Sequence, residues 1–348
     1  MVRVGVVGCG YWGPNLIRNI YQLDCCELAM ICDADPERLN RVGRLYSGAA
    51  ATTSFPDLLD STDIDAVVIA TPARTHHAMT TQALRAGKHV LVEKPLAVTS
   101  AQCQELISLA EQQGLVLMVG HTFLYNPALL MVKELSQPDY LGDLFYLYSH
   151  RVNLGRVQTD VNALWSIAPH DISIALFLVG QAPEKVSAQG AYYLSHRIED
   201  VVFITLTFPG GVVGHIHVSW IDPSKTRKVT VVGSEKMIVY DDLADEGMVK
   251  VYDKGVKKIS NGSGPRYGEF QYRLHSGDVH LPHIRMTEPL ANECRHFIEC
   301  IRDHKQPLSD GKNGLQVVQV LEAAQRSLEL QGMPLPVATS ELQASPAK

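Results

Sequence analysis

Val4-Gly5-Val6-Val7-Gly8-Cys9-Gly10-Tyr11-Trp12-Gly13 stands near the start of the chain, and Asp33 closes a second apolar run twenty residues beyond Gly13. The run from Arg3 to Val7 predicts a short strand, and Pro14 to Leu23 predicts a helix. The three glycines between them have separate duties. Gly8 permits a tight turn, Gly10 lets backbone approach a pyrophosphate, and Gly13 lets the helix pack close to the strand. Free N–H groups and the positive end of the helix dipole suit a diphosphate. The acid ending Ala29-Met30-Ile31-Cys32-Asp33 is placed to accept hydrogen bonds from ribose hydroxyls. Strand, glycines, helix, strand and acid in register predict a dinucleotide-binding unit. A carboxylate at Asp33 repels a 2′-phosphate and Ala34 brings no arginine beside it, so NAD is the expected cofactor, with Arg38 able to soften the preference.

At 348 residues the chain has room for two domains. Its 46% hydrophobic and 20% charged residues are ordinary for a water-soluble globular protein. A net charge of −6 with no basic cluster argues against a general grip on nucleic acid. No apolar run reaches the ~18–20 residues of a membrane span. The first strand begins almost at once, leaving no room for a signal peptide. Seven cysteines lack metal or scaffold spacing, which predicts buried free thiols and a cytoplasmic location.

The rhythm of the chain changes near residue 120. Before it, apolar runs alternate with helical patterns: Pro36 to Leu45, Asp65 to Pro72, His77 to Ala86, His89 to Pro95, Ser100 to Gln113 and Leu115 to Gly120. Near-continuous apolar strands are expected in a parallel sheet covered on both faces. After it, Leu144 to Val152, Lys185 to Leu194, Val201 to Phe208, Val212 to Trp220 and Lys228 to Val232 are long, β-rich and partly alternating. Asn162 to Leu178 interrupts them as a helix. The predicted fold is α/β plus α+β, with an N-terminal dinucleotide-binding domain over 1–122. A C-terminal domain over 123–335 carries a large open, mostly antiparallel sheet, followed by a frayed tail over 336–348. Two late helical patterns, Glu288 to Asp303 and Lys312 to Leu330, are expected to return to the first domain; the last is placed at about 312–332.

Glu93-Lys94-Pro95 is the second informative motif, at the carboxyl end of a predicted parallel strand, where open α/β sheets bind ligands. Pro95 restricts the backbone and aims Lys94 at one point. A partly desolvated lysine beside a cationic nicotinamide ring has a lowered pKa, which suits proton transfer from an alcohol. By position alone, a surface lysine at a strand end is the simpler reading.

The whole chain resembles a known family. Gly8 to Gly13, Thr71-Pro72, the string Ala86 to Pro95, Val119-Gly120-His121, Tyr125-Asn126-Pro127, Leu141-Gly142-Asp143, Pro169-His170-Asp171-Ile172 and Glu288-Pro289-Leu290 are similar to the Gfo/Idh/MocA oxidoreductases. The resemblance implies a Rossmann domain, an open sheet that commonly forms an oligomer interface, and oxidation or reduction of sugar and cyclitol hydroxyls with NAD or NADP. It implies Lys94 and His170 as the catalytic proton-transfer pair, with His170 otherwise readable as a satisfied helix histidine. The family often has aspartate where this chain has Ser166 and Ser173, so a strict Lys-Asp-His triad is not expected here. Tyr11, Trp12, Thr71, Pro72, His76, Glu93 and Lys94 complete the expected cofactor set with Gly8, Gly10, Gly13 and Asp33; Trp12 reads equally as an apolar cap on the helix.

His150-Arg151-Val152-Asn153-Leu154-Gly155-Arg156, followed by Asn162 and Trp165, is rich in planar donors and acceptors suited to vicinal sugar hydroxyls. The expected substrate set is Tyr125, Asn126, Arg151, Asn153, Arg156, Asn162, Trp165, His170 and Asp171, though any one of these also reads as a solvated strand end. This run most resembles family members acting on nucleotide-linked amino sugars, including UDP-N-acetylhexosamine 3-dehydrogenases. The implied reaction is NAD-dependent oxidation or reduction at a pyranose hydroxyl, C3 being expected. The alternatives are an NAD-assisted glycosidase and a non-catalytic regulator. His275, His280 and His283, in an expected loop Tyr272 to Ile284, fit no metal spacing, so no metal is expected; that loop reads as a substrate cover or an inter-subunit arm. One apolar face of the second sheet predicts a homodimer or homotetramer.

Overall fold

Between residues 2 and 120, five of six strands are largely apolar and largely buried, as parallel strands between two helical layers must be, and the sixth, Ala50–Thr52, is a short exposed edge. In a computed structural model describing residues 1–258 and 272–338, β1 (Val2–Val7), α1 (Gly13–Gln22), β2 (Cys26–Cys32), α2 (Pro36–Gly43), β3 (Ala50–Thr52) and α3 (Phe55–Asp60) come first. Then follow β4 (Ala66–Ile69), α4 (Ala73–Arg85), β5 (His89–Glu93), α5 (Ser100–Gln113) and β6 (Leu117–Gly120). All five neighbouring pairs are parallel, in the order β3-β2-β1-β4-β5-β6. This is the doubly wound dinucleotide-binding order, whose ligand crevice opens at the carboxyl ends of the strands where the order reverses between β1 and β4.

The second sheet has nine strands. The chain runs α6 (Pro127–Leu135), α7 (Pro138–Leu141), β7 (Leu144–Leu154), α8 (Ala163–Val179), β8 (Lys185–Ala191), β9 (Val201–Thr207), β10 (Val213–Ser219) and β11 (Ile221–Gly233). It continues through β12 (Met237–Asp241), β13 (Val249–Lys258), β14 (Tyr272–His280), α9 (Pro289–Asp303), α10 (Gly311–Glu329) and β15 (Leu335–Pro336). The order is β14-β13-β12-β11-β7-β10-β9-β8-β15, antiparallel throughout except for the central β7–β10 pair. Alternation sorts its faces. Val202, Ile204, Leu206, Ile216 and Val218 are fully buried on the face that α8 covers. The opposite face carries Tyr146, Tyr148, His150, Phe203, His215 and His217 as a chain of ring contacts, the closest being Phe203 on His217 at 4.4 Å. Phe203 and Tyr146 are 43% and 44% exposed there.

The chain divides into one unit of Met1–Asn126 with Thr287–Gln319 and another of Pro127–Met286 with Val320–Lys348. The first boundary thus falls after Asn126, and the second passes through α10. Within the first unit, the segment before α10 finishes the edge of β6. Val119 N–H donates to the Ser309 carbonyl (2.8 Å), the Ser309 hydroxyl donates to the Val119 carbonyl (2.6 Å), and Met118 bridges Asp310. Within the second unit, the Ser327 hydroxyl accepts from Ala188 N–H at 2.9 Å.

Two expectations are corrected. Tyr272–His280 is a strand paired antiparallel to β13, not part of a loop; nearly every position on it is solvent-exposed, so it lacks the apolar alternation that marks a strand. The tail does not begin free at 336: Leu335 and Pro336 pair with Val186 and Lys185. The rest of the expected tail, 339–348, lies outside the described residues. Among the described residues no helix is long and apolar enough to cross a membrane, and all seven cysteines are free thiols.

Candidate active site

The turn after β1 is built as its glycines require. Gly8 has φ +103°, a left-handed conformation, and a Cβ there would stand 2.4 Å from the Ala70 carbonyl oxygen. A Cβ on Gly13 would stand 1.7 Å from the carbonyl oxygen of Gly8, so α1 reaches its seat against the turn only with glycine. A Cβ on Gly10 would meet no protein atom within 4 Å; the turn is open on that side, where a diphosphate needs backbone access. No side chain caps α1 and no acid lies in its first turn, leaving the positive end of its dipole uncompensated.

Asp33 is nearly buried. One carboxylate oxygen accepts from Cys9 N–H at 2.5 Å and the other from Asp35 N–H at 2.8 Å, so the acid also braces the glycine turn. Arg38, the one basic side chain expected to soften cofactor choice, is held by Asp35 at 3.1 Å. Burial pushes the Cys9 thiol up to about 12, with the Asp33 charge adding to it. These features fit the adenosine half of NAD: a diphosphate at the turn and a ribose at the acid. Tyr11 is 82% exposed beside the turn, and Trp12 occupies the cap position of α1.

A second group of expected site residues gathers at the ends of β4, β5 and β6. The Lys94–Pro95 peptide is cis. Buried His76, on α4, sets one ring nitrogen 2.7 Å from the Pro95 carbonyl and the other 2.8 Å from the Thr71 carbonyl, tying the two turns together. Two carbonyls favour the doubly protonated ring, but burial outweighs them and lowers the His76 pKa, so the neutral ring donates to one of them. Pro72 caps α4, and the Thr71 and Thr75 hydroxyls share a hydrogen bond of 2.7 Å. Lys94 is close enough to Glu93, His76 and His121 for its charge to act on all three. Tyr125, expected at the substrate, is buried, and its hydroxyl pairs with Ser309 at 2.8 Å; Asn126 is buried as well.

In the second unit, His170 follows Pro169 inside α8, where the missing proline N–H leaves the Trp165 carbonyl without its helical donor. The structure brings Arg151 and Asp171 onto each other: Arg151 Nε donates to the Asp171 carboxylate at 2.5 Å, and both side chains are buried. Asn162 caps α8 by accepting from Trp165 N–H (3.1 Å) and donates to Glu199 (2.7 Å) and Gln325 (3.0 Å), so its amide is used within the fold. Asn153 and Trp165 are half-buried and Arg156 is exposed. Ser173 donates to the His170 carbonyl at 2.8 Å rather than supplying a carboxylate. Sequence reasoning missed two fully buried residues, His121 beside Lys94 and Glu293 beside Glu93. Glu293 had a signal: it is an acid within the apolar stripe Leu290, Cys294, Phe297, Ile298 and Ile301 of α9.

Residues 2–121 match the oxidoreductase family model with an NAD-binding Rossmann fold, and residues 131–239 match the Gfo/Idh/MocA C-terminal domain. The chain belongs to the Gfo/Idh/MocA family. It is therefore an oxidoreductase with NAD as its cofactor. D-apiose dehydrogenase of Paraburkholderia graminis is 26% identical over 91% of this chain and 85% of its own length. Among solved structures, UDP-N-acetylglucosamine 3-dehydrogenase GnnA from Acidithiobacillus ferrooxidans superposes with a TM-score of 0.78 at 26% identity, covering 94% of this chain and 98% of that one. The WlbA dehydrogenase from Bordetella pertussis, in complex with NADH and UDP-GlcNAcA, gives a TM-score of 0.78 at 25% identity, covering 97% and 99%.

Proposed function

We propose that this chain is an NAD-dependent dehydrogenase of a pyranose, acting at a secondary hydroxyl, C3 in the favoured reading, of a nucleotide-linked sugar. The observation that carries the reading is Lys94 at the carboxyl end of β5 in an NAD-binding unit, with the next residue's carbonyl, Pro95 O, tied to buried His76 and with its charge acting on the Glu93 carboxyl. Relatives that act on a UDP-linked sugar and on apiose support the substrate class. NAD, when bound, accepts the hydride released from the carbinol carbon. Lys94 in its neutral form takes the hydroxyl proton as the C–H electron pair leaves and the carbonyl forms; His170 shares that proton. The Arg151–Asp171 pair holds the part of α8 that carries His170 against β7.

The exposed ring-bearing face of the second sheet supports a homodimer or homotetramer, and the seven free thiols support a reducing compartment such as the cytoplasm. The test is NADH formation, read by absorbance, across free, phosphorylated and UDP-linked sugars. Turnover confined to free sugars removes the nucleotide from the reading. Leaving-group release with no net NADH replaces the dehydrogenase with the NAD-assisted glycosidase.

A further inference from the structure

Two carboxyl groups approach each other in the first unit: Glu293 is fully buried, and Glu93 is half-buried with Oε1 out of water and the Lys94 charge beside it. Glu93 ends β5 and pairs in register with Gly120 at the end of β6. A Cβ on Gly120 would stand 3.0 Å from Glu93 Oε1, so the carboxyl group rests against a position kept free of a side chain. From Gly120 the chain passes through His121 and Thr122 into a short 3-10 turn, and α9 packs against that turn. There the Thr122 hydroxyl donates to Glu293 Oε2 at 2.8 Å. Glu293 Oε1, Glu93 Oε1 and both ring nitrogens of His121 are buried with no hydrogen-bond partner among the described residues.

We propose that Glu293 remains a neutral acid in the folded protein, leaving Glu93 to carry the single negative charge that faces the Lys94 ammonium. The inference rests on the reading of Lys94 as the proton-transfer group.

Two ionised carboxylates in one enclosure out of water repel each other and each lose hydration, so one keeps its proton. The surroundings decide which. Burial pushes Glu93 up to about 7, but the charge of Lys94, the Lys94 N–H at 3.3 Å and the Trp12 indole N–H oppose that rise and leave it the acid that is ionised at pH 8. Glu293 has the Thr122 hydroxyl, which the carbonyl oxygen of a neutral acid accepts equally well. The other groups facing the enclosure carry no compensating charge. Burial, then Lys94, pushes His121 down to about 3, so its ring is neutral; His76 is neutral; burial and the acids raise the Cys294 thiol far above its usual range. Burial first, then the Glu93 charge, raises Glu293 well above an ordinary carboxyl. The result is a neutral set: Glu93 carboxylate, Lys94 ammonium and Glu293 acid. A second carboxylate would tighten the hold on the lysine proton, which an alcohol oxidation needs Lys94 to release.

The test is infrared difference spectroscopy of the full-length protein without substrate at pH 8, where a protonated carboxylic acid gives its own carbonyl band. The wild type should show the band, Glu293→Gln should lose it, and Glu93→Gln should keep it. A wild-type spectrum without the band overturns the proposal, whether or not either variant folds. Loss in Glu93→Gln with retention in Glu293→Gln overturns it too, by putting the proton on the other residue. Which carboxyl carries the charge opposite Lys94 is read from kcat against pH in the oxidation direction. Glu93→Gln, removing the charge opposite Lys94, should move the rising limb down by about one pH unit or more. Glu293→Gln, neutral and of the same shape, should leave the position of that limb within a few tenths of a unit. A limb that moves with Glu293→Gln as far as with Glu93→Gln refutes the proposal. Because the spectra need no substrate, a failed sugar panel sinks the dehydrogenase reading without deciding this one.

Discussion

Replacing Asp33 with asparagine separates the two duties of one acid. The carboxylate accepts from Cys9 N–H in the glycine turn and from Asp35 N–H at the start of α2, at 2.5 and 2.8 Å. Asparagine has one acceptor oxygen, so one N–H turns toward an amide NH2 instead. A hydrogen bond to a charged group contributes about 1.5–3 kcal/mol, so NAD affinity should fall roughly 10- to 150-fold through the loosened turn and the weakened ribose contact. NADP should lose less, because the charge that repels its 2′-phosphate has gone. The wild-type preference for NAD, about tenfold or more, should therefore narrow. It should not invert, since Arg38 is occupied by Asp35. Titration calorimetry with both dinucleotides on wild type, Asp33→Asn and Asp33→Ser measures this, with melting curves to confirm that the variants fold. NAD affinity within about threefold of wild type in Asp33→Asn would refute the bracing role, and a wild type that binds NADP as well as NAD would refute the selective one.

The remaining predictions are briefer. Lys94→Ala should bind NAD almost unchanged and lose about 10²–10⁴ in turnover, with His170→Ala in the same range or below it; stopped-flow NADH formation decides, and near-native rates in both defeat the site. Asp171→Asn leaves the Arg151 guanidinium buried beside a neutral amide and should cost about 3 kcal/mol in denaturant unfolding, whereas Arg151→Met with Asp171→Leu should cost less than that. A Glu293 carboxyl that keeps its proton in the fold but loses it on unfolding makes the wild type less stable as pH rises above about 4.5. The melting temperature of Glu293→Gln should therefore gain on wild type between pH 5 and pH 8, and a constant gap speaks against a raised pKa. Light scattering should give two or four times 38.3 kDa, and a mass near one chain would dismiss the open sheet face as an interface.

The first unit was almost wholly legible because its inner strands are apolar and buried and its turn chemistry is local: Gly8, Gly10, Gly13 and Asp33 lie within one βαβ stretch. The short pieces β3 and α3 escaped, being too brief to show a period. In the second unit the central strands were read from alternation, whereas β12 to β14 were not. β12 alternates but is only five residues long, Lys250, Lys254 and Arg273 interrupt the apolar rhythm of β13 and β14, and an edge strand such as β14 has no buried side to create one. The cluster around Arg151 shows a different limit. Alternation assigns His150 and Arg151 to opposite faces, but only the fold reveals that an acid twenty residues later, on α8, waits on the Arg151 side. The Glu93–Glu293 enclosure joins residues 200 positions apart, a pairing that no local pattern encodes.

The repair of the β6 edge by Ser309 and Asp310 has a consequence for synthesis. Translation delivers the six strands of the first sheet about 190 residues before the segment that completes it. At roughly 5–20 residues per second, the nascent chain carries an unpaired strand edge for about 10–40 s while the whole inserted unit emerges from the ribosome. An unpaired edge is a template for another chain. Any message truncated before the codon for Ser309 therefore yields a polypeptide whose dinucleotide-binding sheet is present in full yet left open along one side, and such products depend on chaperones or proteases for their disposal.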